Sequence, residues 1–360
     1  MTNDELLIWR CIDLARNGKG QVSPNPLVGC VIVKNGKIIS EGYHKKYGAL
    51  HAEADAIEKA VKNGINVKGA TLYVNLEPCS HYGKTPPCSD RIIEAGIKKV
   101  VIGCKDPYKL VNGKGIARLR KHGIKVVAGV LEYECREFNK FFMKHSTSGL
   151  PYITLKAAQT LDGKIADEKF KSKWISSKES RAIVHRLRSE YDAVLVGKNT
   201  VKYDNPKLTV RLVKGRDPYR IVIDGNLSLG LSYDLYSDKL KSKTIIITSP
   251  KADKKKAKIL ESRGVMVISA KASNGKIDLK DAMKKIGKLN IASILVEGGA
   301  KTFSGFLSQG LADELILFTA PKIMGSGVNT FEGSGKRDFN NAKEVYYQFA
   351  GNDILTNIKF

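Results

Sequence analysis

The chain has 360 residues, 42% of them apolar and 27% charged, which allows one to three globular domains with sizeable cores and argues against a disordered or fibrous protein. Lys and Arg number 61 against 36 Asp and Glu, a net +25 that favours anionic partners such as nucleic acid or phosphorylated small molecules, although lysines spread this evenly also read as a solvated surface. No apolar run approaches the roughly 18 residues of a membrane span, and the opening "MTNDELLIWR" lacks the basic start and apolar run of a secretory signal.

That opening predicts a helix capped by Asn3 or Asp4, with Leu6, Leu7, Cys11 and Leu14 on one face. "LVGCVIVKNGKIISEGYHKK" holds two apolar runs around Asn35-Gly36, a hairpin signal. A helix is expected from about His51 to Lys62, then a strand "ATLYVNL" and a helix "CSDRIIEAG" closed by Gly96. "KKVVIGC", "GIARLRKHG", "IKVVAGV" and "LEYECREFNKFFMKH" continue as strand, helix, strand and one closing helix, giving a mixed sheet with helices on both faces. The polar break Ser146–Pro151 places a domain boundary there, with residues 1–147 before it and 148–360 after. The strand-helix pattern then restarts with "YITLKAA" and a helix "SSKESRAIVHRLRSE", whose Ser176 and Glu179 fit a capping box. Further strands follow, and the last 17 residues, "EVYYQFAGNDILTNIKF", read as an antiparallel pair. "KADKKKAKILESRG" has the spacing of an exposed helix, and there is no internal repeat.

Six cysteines are too few for a disulfide scaffold, and without a secretory signal a reducing, cytoplasmic compartment is expected. Metal ligation is then the question to ask of them. His51 falls at the start of a helix, Cys79 just after a strand and Cys88 at the start of the next helix. Imidazole and thiolate suit zinc, and three protein ligands leave a fourth tetrahedral position for water. A helix N-terminus beside Cys88 favours its thiolate. Glu53, two residues after His51, is poorly placed as a ligand and well placed to carry a proton between water and a departing amine. His51-Ala52-Glu53 and Pro78-Cys79 fit the H-x-E and P-C signature of zinc nucleobase deaminases. The second cysteine departs from it, because eight residues, not two, separate Cys79 from Cys88. Two plainer readings stand beside this one: a buried histidine with inert thiols, and a structural zinc site closed by His81.

The longer spacing points to one family. "PNPLVGC" (Pro24–Cys30), "HAE", "EPCSHYGKTPPC", "PYITLKAAQTLDGKIA" and "SKWISS…RLRSEYDAVLVGKNTVKYDNPKLTVR" together resemble the bifunctional deaminase–reductase of riboflavin biosynthesis, over essentially the whole chain. The resemblance implies an α/β protein with an N-terminal cytidine-deaminase-like α/β/α domain and a C-terminal dihydrofolate-reductase-like α/β domain. It implies one zinc per chain on His51, Cys79 and Cys88, with Glu53 catalytic. Asn25, His44, His81, Lys84 and Asp106 would bind the pyrimidine and its phosphate. The family's Asp-Pro-Asn is Asp106-Pro107-Tyr108 here, and Tyr108 cannot reproduce an Asn amide. The implied partners are phosphorylated pyrimidines and NADPH, with no nucleic acid and no membrane; a homo-oligomer is compatible with this.

In the second half no G-x-G-x-x-G fingerprint opens a helix after a strand. "LVEGGAKTFSGF" (Leu295–Phe306) offers instead a Gly-Gly strand-to-helix turn where a phosphate can approach the backbone. The family resemblance assigns Ala158, Trp174, Thr200, Asp204, Gly225 and the segment Gly299, Ala300, Lys301, Thr302, Phe303, Ser304 and Gly305 to NADPH. It assigns Ser172, Arg188, Leu208, Arg211 and Glu297 to the ribosyl substrate. Two arginines suit a phosphate monoester, which guanidinium binds bidentately; Lys156, on the first strand, is the nearest thing to a general acid. Two other functions compete. A nucleic-acid deaminase with a basic RNA-binding C-terminal half fits the charge but not the cysteine spacing. A non-enzymatic structural zinc protein requires Glu53 to be dispensable.

Overall fold

The computed structural model describes residues 1–82, 86–109, 111–332 and 342–360, and the chain divides into two compact units, Met1–Gly149 and Leu150–Phe360. The first unit runs α1 (Asn3–Arg16), β1 (Gly29–Lys34), β2 (Lys37–Tyr43), α2 (Ala52–Lys62), β3 (Thr71–Leu76) and α3 (Cys88–Glu94). It continues with β4 (Lys99–Cys104), α4 (Lys114–Lys121), β5 (Lys125–Ala128), α5 (Glu132–Phe138) and α6 (Lys140–Ser148). Its sheet has the order β2-β1-β3-β4-β5, with β1 antiparallel to both neighbours and β3, β4 and β5 parallel. The Asn35-Gly36 hairpin is present, both residues at positive φ (52° and 74°), as a two-residue turn of the twist-compatible kind requires. Continuous buried runs in β1, β3 and β4 show that both sheet faces are covered.

Three local expectations are corrected. Thr2, not Asn3 or Asp4, caps α1, in a reciprocal capping box with Glu5. The closing helix is two helices, interrupted at Asn139, whose side chain both donates to the Leu27 carbonyl (3.0 Å) and accepts from the Leu27 amide (2.8 Å). The helix extends through Ser146–Ser148, since the hydroxyls of Ser146, Thr147 and Ser148 bond back to carbonyls one turn earlier and so do not act as breakers; Gly149, at φ 69°, ends it.

The second unit runs β6 (Tyr152–Thr160), β7 (Lys164–Ala166), α7 (Lys178–Glu190), β8 (Ala193–Gly197), α8 (Lys198–Asp204), β9 (Tyr219–Ile223) and β10 (Thr244–Thr248). Next come α9 (Lys254–Ser262), β11 (Met266–Ser269), β12 (Ala272–Ser273), β13 (Lys276–Ile277), α10 (Leu279–Gly287), β14 (Ser293–Gly298) and α11 (Ala300–Ser308). β15 (Glu314–Ala320), β16 (Val328–Asn329), β17 (Glu344–Ala350) and β18 (Asp353–Lys359) complete it. The main sheet has the order β11-β10-β9-β8-β14-β6-β15-β18-β17, parallel from β11 to β15 and antiparallel beyond. α7 is capped by Ser177, which accepts from the Ser180 amide, one residue later than the expected Ser176. No helix among the described residues is long and apolar enough to cross a membrane.

Candidate active sites

In the first unit, α2 lies so close on β2 that a Cβ on Gly42 would sit 2.5 Å from the Ala52 carbonyl oxygen and the Ala56 amide nitrogen, so only glycine fits. Asp55 fixes the same contact, accepting from the Tyr43 amide (3.2 Å) and pairing with Lys45 (3.0 Å) and Lys59 (2.7 Å). This seating fixes the start of α2, where His51 is the N-cap and Glu53 lies buried in the first turn. His51 Nδ1 then sits 3.6 Å from Cys79 Sγ and 3.4 Å from Cys88 Sγ, and the Cys88 amide donates to Cys79 Sγ at 3.3 Å.

These distances fit a single zinc ion. With Zn–S of about 2.3 Å and Zn–N of about 2.0–2.1 Å, tetrahedral geometry separates sulfur and nitrogen by about 3.6 Å. His51, Cys79 and Cys88 form the one His/Cys/carboxylate cluster of metal-binding spacing among the described residues. The Cys79 thiol is brought down to about 4, first by hydrogen bonding with the Cys88 thiol, with His51 and the Cys88 amide adding to it. Cys88 is raised by the same neighbour and by burial. Two adjacent thiols oppose one another's ionisation, and a cation between them removes that opposition. Burial raises the Glu53 carboxyl.

A cavity of about 290 Å³ opens onto this cluster, lined by Asn25, His44, His51, Glu53, Cys79, His81, Asp106 and Tyr108 among others. His44 is buried and its pKa lowered by that burial. Its Nδ1 meets the Leu50 carbonyl at 2.9 Å and must donate; its Nε2 therefore accepts from the Asn25 amide at 3.1 Å. The pairing leaves the Asn25 carbonyl oxygen for a ligand. Asp106 is buried and raised to about 6, chiefly by burial, and accepts from the Tyr108 amide at 2.8 Å. The His81 ring meets Tyr108 edge-on at 6.1 Å, and its buried Nδ1 has no hydrogen-bond partner among the described residues. Lys84 lies outside the described residues.

The residues that hold this wall in place were not singled out in the sequence. Asn75 accepts from the Gly29 amide (2.8 Å) and donates to the Leu27 carbonyl (2.9 Å); with Asn139 it pins the strand entry next to Asn25. Glu77, just after β3, accepts from the amides of Asp106 (3.3 Å), Gly113 (2.9 Å) and Ile116 (3.2 Å) and so ties the Asp106 loop to α4.

In the second unit the family-assigned residues gather at the carboxyl ends of parallel strands, where open α/β sheets bind ligands. Ala158 is on β6, Thr200 and Asp204 on α8 after β8, Gly225 after β9, and Glu297 at the end of β14. Arg188 on α7 grips Glu297 with two bonds of 2.6 and 2.8 Å and donates to the Thr209 carbonyl at 3.0 Å. Burial pushes Glu297 up, but Arg188 and Lys156 outweigh it and hold the carboxyl below its ordinary value. Lys156 is lowered by burial, partly offset by Glu297. His185, also unforeseen, is lowered to about 4 by burial and by Arg188 and Arg211, and accepts from the Arg211 amide at 2.9 Å.

Leu208 is buried at a positive φ of 53° beside this group. Ser172 donates to Asp204 at 3.0 Å, and the Arg181 guanidinium lies 4.5 Å above the exposed Trp174 ring. The Gly298–Gly299 peptide is cis, and Cβ atoms on either glycine would meet Thr200 Oγ1 at 3.4 Å. The turn therefore exposes bare backbone beside a hydroxyl at the start of α11, a surface that fits a nucleotide phosphate. The side chains of Ala300, Phe303 and Ser304 face the interior, so a ligand there would meet the turn's backbone.

Two compact α/β units, one built around a His-Cys-Cys cluster with a buried glutamate and the other around a glycine turn at strand ends, define a zinc-deaminase domain fused to a reductase-type domain. Comparison with known proteins agrees. Residues 1–104 match the cytidine and deoxycytidylate deaminase zinc-binding region, and residues 151–356 match the RibD C-terminal domain. The riboflavin biosynthesis protein RibD of Aquifex aeolicus is 49% identical over 319 residues, covering 88% of this chain and 87% of that one. Its namesake in Escherichia coli is 38% identical over 349 residues, 92% of each chain. A Thermotoga maritima structure described as a diaminohydroxyphosphoribosylaminopyrimidine deaminase/5-amino-6-(5-phosphoribosylamino)uracil reductase superposes with a TM-score of 0.86 at 41% identity, over 99% of this chain and 98% of that one. Acinetobacter baumannii RibD gives 0.88 at 33% identity, with the same coverage. The chain belongs to the RibD family.

Proposed function

We infer that the first unit hydrolyses the 2-amino group of 2,5-diamino-6-(5-phosphoribosylamino)pyrimidin-4-one, and that the second reduces the ribosyl group of the resulting 5-amino-6-(5-phosphoribosylamino)uracil to ribityl with NADPH. The observation that carries the first half is the His51–Cys79–Cys88 spacing, with Glu53 buried in the turn beside it. His51 Nδ1 and the two sulfurs would hold zinc, whose Lewis acidity brings the pKa of water toward 7. Glu53 takes the proton that water gives up and returns it to the departing nitrogen, so that a C–O bond replaces the C–N bond and ammonia leaves. Asn25, oriented by His44, presents its carbonyl oxygen to the pyrimidine edge, and His81 and Asp106 complete the wall. Lys84 is proposed for the phosphate. Tyr108 would offer a phenol where the family has an Asn amide, and cannot reproduce that amide's pair of bonds.

In the second unit the backbone of the Gly299–Gly305 segment, with Thr200, Asp204, Gly225, Ala158 and Trp174, would hold NADPH, which supplies the hydride. Ser172, Arg188, Leu208, Arg211 and Glu297 would take the sugar phosphate, with Arg188 and Glu297 held to one another by two bonds. The one-enzyme reading is tested on the zinc-loaded whole chain with Glu53→Gln. That variant should keep about one zinc per chain and keep NADPH oxidation on the deaminated substrate, yet release no ammonia. Ammonia release at the wild-type rate refutes the assignment of Glu53.

A further inference from the structure

The segment between β7 and α7 holds an aromatic residue in a backbone conformation that bulky side chains rarely take. Phe170 lies at φ 60°. Such residues persist where their surroundings fix them, and they gather at ligand clamps. Hydrogen bonds do the fixing here. The Asp167 carboxylate accepts from the Lys169 amide at 2.9 Å and from the Lys171 amide at 2.8 Å. The Asp167 amide donates to the Lys171 carbonyl at 3.1 Å, and the Phe170 amide donates to the Asp167 carbonyl at 2.9 Å. Residues 167–171 are therefore a closed loop with Phe170 near its tip.

The Phe170 ring stacks on Tyr203 of α8, with centroids 4.3 Å apart and an interplanar angle of 4°, although the two residues stay 41% and 45% exposed. Two positions further on, Ser172 donates to Asp204, the next residue of α8, at 3.0 Å. Two successive contacts thus fasten the strap Asp167–Ile175 along the last turn of one helix. At the strap's other end the Lys322 ammonium donates to the Trp174 carbonyl at 2.8 Å, and the Arg181 guanidinium covers one face of the exposed Trp174 ring. Lys171 and Lys173, between these anchors, are exposed, so their hydration competes with docking. The same helix carries Thr200 beside the Gly298–Gly299 turn, and Thr200 and Asp204, at i and i+4, share a face. Through α8 the strap joins Ser172, proposed for the sugar phosphate, to residues proposed for NADPH.

We propose that Phe170 and Tyr203 are positioning residues for the reduction: their stack keeps the strap docked on α8, so that Ser172 and Trp174 stand in place before NADPH arrives. This rests on the reading of the second unit as an NADPH site. A ligand that binds only the docked form has its apparent affinity reduced by the docked fraction. Loss of the stack lowers that fraction to about one tenth, which corresponds to about 1.4 kcal/mol and lies within what a stacked aromatic pair contributes. Saturating NADPH docks the strap itself, so the loss falls on KM and hardly on kcat.

The test uses the whole zinc-loaded chain. Its only tryptophans are Trp9 and Trp174, so in a Trp9→Phe parent the emission of Trp174 reports NADPH binding directly. NADPH is titrated into that parent and into Phe170→Gly, Tyr203→Ala, their double variant, Phe170→Tyr and Tyr203→Phe. Phe170→Gly removes the ring yet accommodates the positive φ, which separates the stack from backbone strain. Both rings are half-exposed, so neither change opens the core; circular dichroism and ammonia release check that the variants are folded. Phe170→Gly and Tyr203→Ala should each weaken NADPH binding about 10-fold and raise its KM about as much, with kcat within about threefold of the parent. The double variant should be no weaker than either single one, and Phe170→Tyr and Tyr203→Phe should bind as the parent does. Variants that bind NADPH as tightly as the parent overturn the proposal alone, as does a fall in kcat at unchanged KM, an additive double variant or a loss of affinity in the two conservative variants. A parent that binds no NADPH overturns the reading of the second unit and this proposal with it.

Discussion

The Arg188–Glu297 pair makes the physical account of the second unit measurable. Replacing Arg188 by Met removes two short bonds to a carboxylate whose side chain is only 7% exposed, and a third to the Thr209 carbonyl. Removing one partner of a buried pair costs about 3–5 kcal/mol, because the other charge is left buried and uncompensated. Lys156 remains as partial compensation, which places the expectation near the lower end. The loss must depend on pH. In the native protein Glu297 titrates below its ordinary value of 4.5, so its contribution is present above that pH and fades as pH falls through the lower folded value. Without Arg188, burial dominates and the folded value rises above 4.5, so the carboxylate becomes a cost as pH increases. The gap between variant and wild type should therefore be small near pH 4 and widen toward pH 8. At about 2–4 °C per kcal/mol, calorimetry of the whole chain should show the second unit's transition falling by about 6–15 °C at pH 8. Arg188→Met/Glu297→Leu should recover most of that stability while remaining inactive as a reductase. A loss below about 1 kcal/mol, a loss independent of pH, or a double variant as unstable as the single would refute the reasoning.

Three further outcomes follow from the first unit. Gly42→Ala drives a methyl into the backbone of α2, so stability should fall by about 2–3 kcal/mol and zinc content with it, while NADPH oxidation persists; plasma emission spectroscopy reads the metal. Glu77→Ala leaves the amides of Asp106, Gly113 and Ile116 without their acceptor, costing about 3 kcal/mol in denaturant melts, with a raised KM for deamination at unchanged zinc content. Asn25→Ala should lower kcat/KM for ammonia release by about 10–100-fold, again at full zinc occupancy, in a steady-state ammonia assay.

Chemistry-bearing residues were legible in the sequence where their identity and order sufficed. His51, Glu53, Cys79 and Cys88 announce themselves by residue type, and the alternation of apolar runs with Asn35-Gly36 places the elements that carry them. The family resemblance added the second unit's residues, which no short motif marks. What escaped were contacts between residues far apart in sequence. Asn139 breaks a helix to hold Leu27, 112 positions away, and nothing local distinguishes it from a surface asparagine. Glu77 looks like a strand-end carboxylate until the fold brings three amides to it. His185 is one polar residue on a helix until the Arg211 backbone arrives. Ser146–Ser148 mislead in the opposite direction: a serine-threonine run suggests a break, yet hydroxyls bonded to the preceding turn are compatible with helix.

The central claim, one chain performing two consecutive reactions at two sites, is tested most directly by supplying the diaminopyrimidinone phosphate and NADPH to the zinc-loaded protein and following ammonia and NADPH together. One NADPH should be consumed for each ammonia released, with ammonia leading in time, and Glu53→Gln should abolish both signals until the deaminated substrate is added, whereupon NADPH oxidation returns. NADPH consumption without ammonia, or ammonia with no NADPH consumed at any stage, would contradict it.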